Sequence, residues 1–359
     1  MLVMRPSITD LSVEELRSEL ELDPRYRLDQ IQHAVYNTDA TSFDDILTLP
    51  VATRETLAKK FSYEAIAPLR TETSIDGTKK VLFRTGDGSV IETVQMPTER
   101  DKATTICLSS QAGCGMGCSF CATGDIGLNR NLTSGEIIDQ FLYFRRRSGY
   151  DQIPDRAVFM GMGEPLANLA AVECAVRGLV EPVRGGLGAR RVTVSTVGLP
   201  SGIRALADWG LSIGLAISLH APVDEIRQCL VPVAKKILLE ELMDASSYYQ
   251  RIARRRVTYE YTMLEGVNDS REQAKELVHL LRGQRCHLNL IPFNSYPGAR
   301  YRGTSPDRIR NFRGIIESGG ISVTIRRTRG RDISGACGQL HAGGLTKAIV
   351  GSDSSHLVE

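Results

Sequence analysis

The spacing of apolar and polar positions changes character along the chain, and that change divides it. Up to about residue 100 the pattern is mixed. Ser12-Val13-Glu14-Glu15 reads as a capping box opening an amphipathic helix through Leu16 and Leu20, and a second helix is expected from Leu28 to Tyr36. Two β-rich runs, Lys79–Arg84 and Val90–Val94, flank Gly86-Asp87-Gly88, so a hairpin is expected there. From about Ala103 short apolar runs alternate with helical segments, the signature of parallel β/α units. Strands are expected at Thr104–Ser109, Ala157–Met160, Val192–Ser195, Ile213–Leu219, Thr258–Met263, His287–Pro292 and Ser322–Arg326. Helices are expected between them, from Thr133 to Arg146 behind the capping box Thr133-Ser134-Gly135-Glu136, and near 169–180, 200–208, 239–252, 270–282 and 306–318. Six or seven such units are too few to close an eightfold barrel. The expected fold is therefore α/β, a partial (β/α)6 barrel open on one side, carrying a small accessory domain over residues 1–100. The barrel would occupy 101–349, and 350–359 would be a polar tail.

Composition narrows the class without naming a chemistry. The 359 residues are 42% hydrophobic and 24% charged with a net charge of +2, an ordinary globular balance. No apolar run approaches the roughly 20 residues that span a bilayer, and the first residues lack a signal peptide's apolar stretch, so a cytoplasmic protein with no membrane partner is expected. Arg145–Arg147, Arg254–Arg256 and the run from Arg326 to Arg331 are local basic patches. The eight cysteines are too sparse for a disulfide scaffold.

Three of them cluster. Cys114-Gly-Met-Gly-Cys118-Ser-Phe-Cys121 puts three thiols in a Gly-rich loop just after the first barrel strand. Soft thiolates suit iron–sulfur clusters, and three ligands on a four-iron cluster leave one iron open to a substrate. Tetrahedral zinc would want a fourth ligand, and the loop holds no fourth Cys or His. The CxxxCxxC spacing resembles the radical S-adenosylmethionine superfamily, which implies a [4Fe–4S] cluster at Cys114, Cys118 and Cys121 and S-adenosylmethionine on the open iron. Gly161-Met162-Gly163-Glu164-Pro165 ends the second barrel strand, where glycines admit a ligand and Glu164 could accept an amino group. Ser195, Ser218-Leu219-His220 and Asn294 are further polar positions at strand ends.

Cys107, in the first strand, and Cys337, in a Gly-flanked loop, stand apart from the cluster; Cys174, Cys229 and Cys286 fall on helical or strand patterns and read as structural. With Tyr26–Ile31, Ile91-Glu92-Thr93-Val94, Cys107–Cys114, Ile217–Pro222, Gly266–Asp269 and Ala336–Leu340, the chain resembles the RlmN/Cfr RNA methyltransferases over nearly its whole length. The resemblance implies a cycle that consumes two S-adenosylmethionine molecules. Cys337 would take a methyl group from the first. A 5′-deoxyadenosyl radical from the second would abstract hydrogen from that methyl, whose carbon would then add to an adenine ring. Glu92 would accept the ring proton, and Cys107 would release the adduct by forming a transient disulfide with Cys337. It further implies that Gly163, Glu164, Ser195, Ser218, Leu219, His220 and Asn294 contact S-adenosylmethionine. The implied partners are 23S ribosomal RNA, tRNA as a second substrate, and an electron donor such as flavodoxin or ferredoxin, with the enzyme a monomer. Residues 121–128 and 139–144 look like the Cfr type, which methylates adenine carbon 8. Pro165, Ile291–Asn294 and Arg326–Gly330 look like the RlmN type, which methylates carbon 2 and is favoured. Two alternatives stay open at this stage: a metal-stabilised RNA-binding protein without catalysis, and a radical enzyme acting on a substrate other than RNA.

Overall fold

The computed structural model describes residues 5–20, 26–97, 103–147 and 153–341; the expected tail, 350–359, lies outside them. Helices α1 (Val13–Leu20), α2 (Tyr26–Asn37) and α3 (Val51–Lys60) precede strands β1 (Ile66–Thr73), β2 (Lys79–Thr85), β3 (Val90–Pro97) and β4 (Thr104–Cys107). A small ribbon, β5 (Gln111–Gly113) with β6 (Leu128–Asn131), brackets α4 (Ala122–Ile126). Then α5 (Ser134–Arg147), β7 (Pro154–Phe159), α6 (Leu169–Val180), β8 (Val192–Thr196), α7 (Pro200–Asp208), β9 (Gly214–Ser218) and α8 (Asp224–Leu230) alternate, and α9 (Leu239–Ile252), β10 (Val257–Met263), α10 (Arg271–Leu281), β11 (Cys286–Pro292), α11 (Pro306–Ser318) and β12 (Val323–Ile325) complete the series.

One sheet runs in the order β1-β2-β3-β4-β7-β8-β9-β10-β11-β12. Strands β4 and β7 to β12 are parallel, as helix-linked crossovers require, and this part forms the open barrel. The hairpin continues that sheet, with β3 antiparallel to β4 and Val94 opposite Cys107. Strand β1 escapes the hydrophobic pattern because it is an edge: it is exposed over most of its length and breaks register at Pro68. The capping boxes form as read. Ser12 Oγ accepts from the Glu15 amide at 3.1 Å while Glu15 returns to the Ser12 amide at 2.8 Å, and Thr133 and Glu136 do the same at 3.2 and 2.9 Å.

The N-terminal helices are tied to the barrel through α5. Asp139 Oδ2 accepts from the Ala65 amide at 2.5 Å, while Oδ1 is buried without a partner. Burial pushes this carboxyl up to about 7, against the pull of Arg146. Below the ordinary aspartate value of about 3.9 the group is protonated in both folded and unfolded chains. Between there and about 7 only the folded chain keeps the proton, so stability falls as pH rises through that window and stays reduced above it. Asp139→Asn is therefore expected to stabilise the protein by roughly 1–2 kcal/mol at pH 8 and by little at pH 4. Thermal melts at the two pH values check this, and an equal shift at both would contradict it.

Candidate active site

The loop after β4 is folded tightly enough to bring its thiols together. Gly113 has φ +78°, and a Cβ there would lie 2.0 Å from the Gly127 carbonyl oxygen, so only glycine lets β5 close on the α4–β6 turn. The Cys121 amide donates to the Cys118 carbonyl at 3.1 Å. Cys118 is buried in an apolar group with Leu230, Val231 and Phe293, while Cys114 and Cys121 are half-buried. Burial is the main reason the Cys114 thiol is pushed up to about 11 and those of Cys118 and Cys121 are raised as well, and each also feels a neighbouring thiol. Such thiols give up their protons to solvent readily only when a strongly cationic centre takes the proton's place on sulfur. Among the described residues no three His, Cys, Asp or Glu side chains converge as they would around one metal ion. Thiolates on separate irons of a four-iron core do not need that convergence, so the donor set fits a cluster better than zinc.

Beside this loop, at the C-terminal ends of the barrel strands, lie two adjoining cavities of about 780 and 810 Å³. The first is lined by Gly163, Glu164, Ser195, Ser218, His220 and Asn294, six of the seven positions expected to contact S-adenosylmethionine, together with Phe120 and Cys121. Glu164 Oε1 and Oε2 accept from the amides of Leu166 and Val197 at 3.0 and 2.8 Å, and burial pushes its carboxyl up to about 7. Gly163, at φ +99°, leaves no room for a Cβ, which would fall 2.6 Å from Gln111. His220 Nδ1 accepts from the Thr262 amide at 3.0 Å, so the proton is on Nε2, and burial pushes the ring down to about 3. His220 is thus neutral and a donor into the cavity. Its left-handed backbone, φ 59°, is held by Asn268 Nδ2, which bonds the His220 carbonyl at 2.8 Å and the Thr262 carbonyl at 2.7 Å. Leu219 is not brought to either cavity; it is fully buried, and its amide and carbonyl are taken by Glu260 and Ala221.

Cys107 lines the second cavity with Met96, Thr123, Thr328 and Leu340. Cys337 lines both. The two thiols are close enough to feel each other's charge, and neither is in a disulfide. Burial pushes Cys107 up to about 12, with Arg326 pulling it the other way. Arg326, also in both linings, lies 3.5 Å from Glu260. The sequence marks it as the end of an expected strand and the start of a basic, RlmN-like run, but not as a residue of the site. Glu92 lines neither cavity. It is buried, its Oε1 lies 3.0 Å from Lys80 Nζ, and its Oε2 accepts from the His341 amide at 2.7 Å.

The Cys337 loop is stitched into place on three sides. Asn294 Nδ2 bonds the Cys337 carbonyl at 3.2 Å, the Ala122 amide bonds the Gly338 carbonyl at 2.8 Å, and Thr123 bonds the Leu340 carbonyl at 2.7 Å. On the third side the β1–β2 turn grips it: Ser74 Oγ donates to Asp332 Oδ1 at 2.5 Å, the Ile75 amide to Oδ2 at 3.2 Å, and the Gly330 amide to Asp76 Oδ2 at 3.1 Å. Since a misplaced reacting group can lose about 10²-fold in rate, Asp332→Ala is expected to lower kcat roughly tenfold while leaving KM and iron content near wild type. Steady-state methylation kinetics beside an iron assay check this.

The barrel, the three-cysteine loop and the polar rim above it define a radical S-adenosylmethionine enzyme, and the radical SAM superfamily model matches residues 108–279. The chain is 44% identical over 334 residues to a Thermus thermophilus protein named "Probable dual-specificity RNA methyltransferase RlmN", covering 93% of this chain and 92% of that one. It is 42% identical to the dual-specificity RNA methyltransferase RlmN of Campylobacter fetus, over 93% of this chain and 97% of that protein. A solved radical SAM methyltransferase from Sphaerobacter thermophilus superposes with a TM-score of 0.91 at 45% identity, over 94% of this chain and 99% of that one. The chain belongs to the RlmN family of RNA methyltransferases. It is accordingly an RNA methyltransferase that uses a [4Fe–4S] cluster and S-adenosylmethionine. Among the described residues no helix is long and apolar enough to cross a membrane.

Proposed function

We propose that the enzyme methylates carbon 2 of an adenosine in 23S ribosomal RNA, and of an adenosine in tRNA, by way of a methyl group carried on Cys337. The observation that carries this reading is the position of Cys337 in the wall shared by the two cavities, with Cys107 facing the second. The first cavity is then the S-adenosylmethionine chamber and the second receives the flipped-out base. Carbon 2 is preferred because the relatives at 42–44% identity carry the RlmN name.

Cys114, Cys118 and Cys121 hold the cluster, which when loaded and reduced supplies the electron that cleaves S-adenosylmethionine. Glu164 takes the ligand's ammonium group, aided by Gly163, Ser195, Ser218, His220 and Asn294; Leu219 serves by spacing Ser218 and His220. The Cys337 thiolate attacks the methyl carbon of the sulfonium, S-adenosylhomocysteine leaves, and the methyl group stays on Cys337 between the chambers. Cys107 later attacks the Cys337 sulfur to free the product, leaving a transient disulfide that a thiol reductant reopens. Glu92 takes the ring proton from one residue beyond the cavity wall, since the amide it holds is that of His341, next to Leu340. Residues 1–100 and the basic runs hold the RNA, a flavodoxin or ferredoxin donates the electron, and the chain works as a monomer.

Mass spectrometry of nucleosides from 23S ribosomal RNA and tRNA, with and without this protein in the cell, tests the reading. A protein-dependent 2-methyladenosine is expected. An 8-methyladenosine would overturn the carbon assignment, and no methylated adenosine would overturn the substrate.

A further inference from the structure

Arg227, on α8, is fully buried. Its Nη2 donates to the Val197 carbonyl at 2.6 Å, but Nε and Nη1 have no hydrogen-bond partner, and Asp224, the acidic group it feels most, forms no hydrogen bond with it. A buried cation left this way is heavily penalised by desolvation, so its retention calls for a missing negative charge. Arg227 lines neither cavity, so it does not serve as a ligand for S-adenosylmethionine or RNA from within them. Its helix instead packs on the three-cysteine loop: Leu230, one turn further on, shares an apolar group with Cys118, Ile226, Val231 and Phe293, and its carbonyl accepts from the Ser119 amide at 3.0 Å, so that Arg227 and Cys118 feel each other's charge.

We propose that Arg227 is the counter-charge of the iron–sulfur cluster, its free Nε and Nη1 serving the anionic cluster at Cys118 and raising its reduction potential. This rests on the reading that Cys114, Cys118 and Cys121 hold that cluster. A four-iron cluster on three thiolates is anionic and becomes more so when it takes one electron from a low-potential one-electron donor. A nearby fixed cation favours that uptake, and no proton moves because the guanidinium stays charged. Val197 connects this arrangement to the cofactor chamber, since its carbonyl is held by Arg227 and its amide by Glu164.

The test uses the full chain with its cluster reconstituted anaerobically, reduced stepwise with dithionite and redox mediators and followed by electron paramagnetic resonance. Arg227→Met is expected to lower the reduced-to-oxidised ratio at a fixed potential about tenfold, equivalent to ~59 mV for a one-electron couple, and Arg227→Lys by less. Melting of the iron-free proteins is the second readout. Because without the cluster the buried Arg227 charge has no hydrogen-bonded counter-ion and only the Val197 carbonyl as partner, iron-free Arg227→Met is expected to melt at or above iron-free wild type. A ratio within twofold of wild type would overturn the proposal, as would an iron-free methionine variant that melts clearly lower, which marks a merely structural arginine. If the methionine variant fails to load iron, the iron-free melts and the lysine variant's potential decide by the same criteria. A wild-type chain that binds no iron would instead overturn the cluster reading itself.

Discussion

Cys337→Ala is expected to lose methyl transfer to RNA by about 10³-fold or more, with iron content unchanged. The reason is positional. Cys337 is the exposed thiol of a loop that borders both cavities, while the other non-cluster thiol in the second cavity, Cys107, is buried and pushed up to about 12. A thiol held that high stays protonated and is a poor nucleophile, so it does not take over the methyl group. Loss of iron together with activity would place Cys337 in the metal site instead. Full activity would show that the methyl group reaches the substrate without it.

Cys107→Ala is expected to give the opposite kind of failure: the chemistry starts and does not finish. With no second thiol to attack the Cys337 sulfur, protein and RNA should remain covalently joined. A slower, nuclease-sensitive band on a denaturing gel would report the adduct, and it should be absent from Cys107→Ala/Cys337→Ala. The high value of Cys107 suits this late role. It would keep the thiol silent during the proposed methylation of Cys337, while Arg326 pulls toward the thiolate that the later step needs. Multiple turnover by Cys107→Ala without an adduct would remove Cys107 from the reaction.

The parallel strands and their helices were legible because burial on both faces writes continuous apolar runs, and four helices occupy the ranges read from periodicity: Leu169–Val180, Pro200–Asp208, Leu239–Ile252 and Pro306–Ser318. Strand β1 was not, because an exposed edge has no core face to declare. The three-cysteine loop was legible because its thiols are local in sequence. The groups that position the site were not: Asp332 meets Ser74 across 258 residues, and Asn268 meets His220 across 48. Arg227 has no pattern at all, since an arginine on a short helix normally reads as solvated and only the fold reveals it as buried. Leu219 is the converse case, a core side chain inside a motif whose neighbours Ser218 and His220 line the chamber.

The most direct test of the central claim is the isotopic content of the product formed by the purified, cluster-loaded enzyme with a 23S ribosomal RNA fragment, reductant and S-adenosylmethionine deuterated throughout its methyl group. A carbon carried on Cys337 and opened by hydrogen abstraction must lose one deuterium before it joins the base. Mass spectrometry should therefore find a 2-methyladenosine lacking one deuterium, and 5′-deoxyadenosine that has gained it. A methyl group that arrives with all its deuterium, or an unlabelled 5′-deoxyadenosine, would contradict the account.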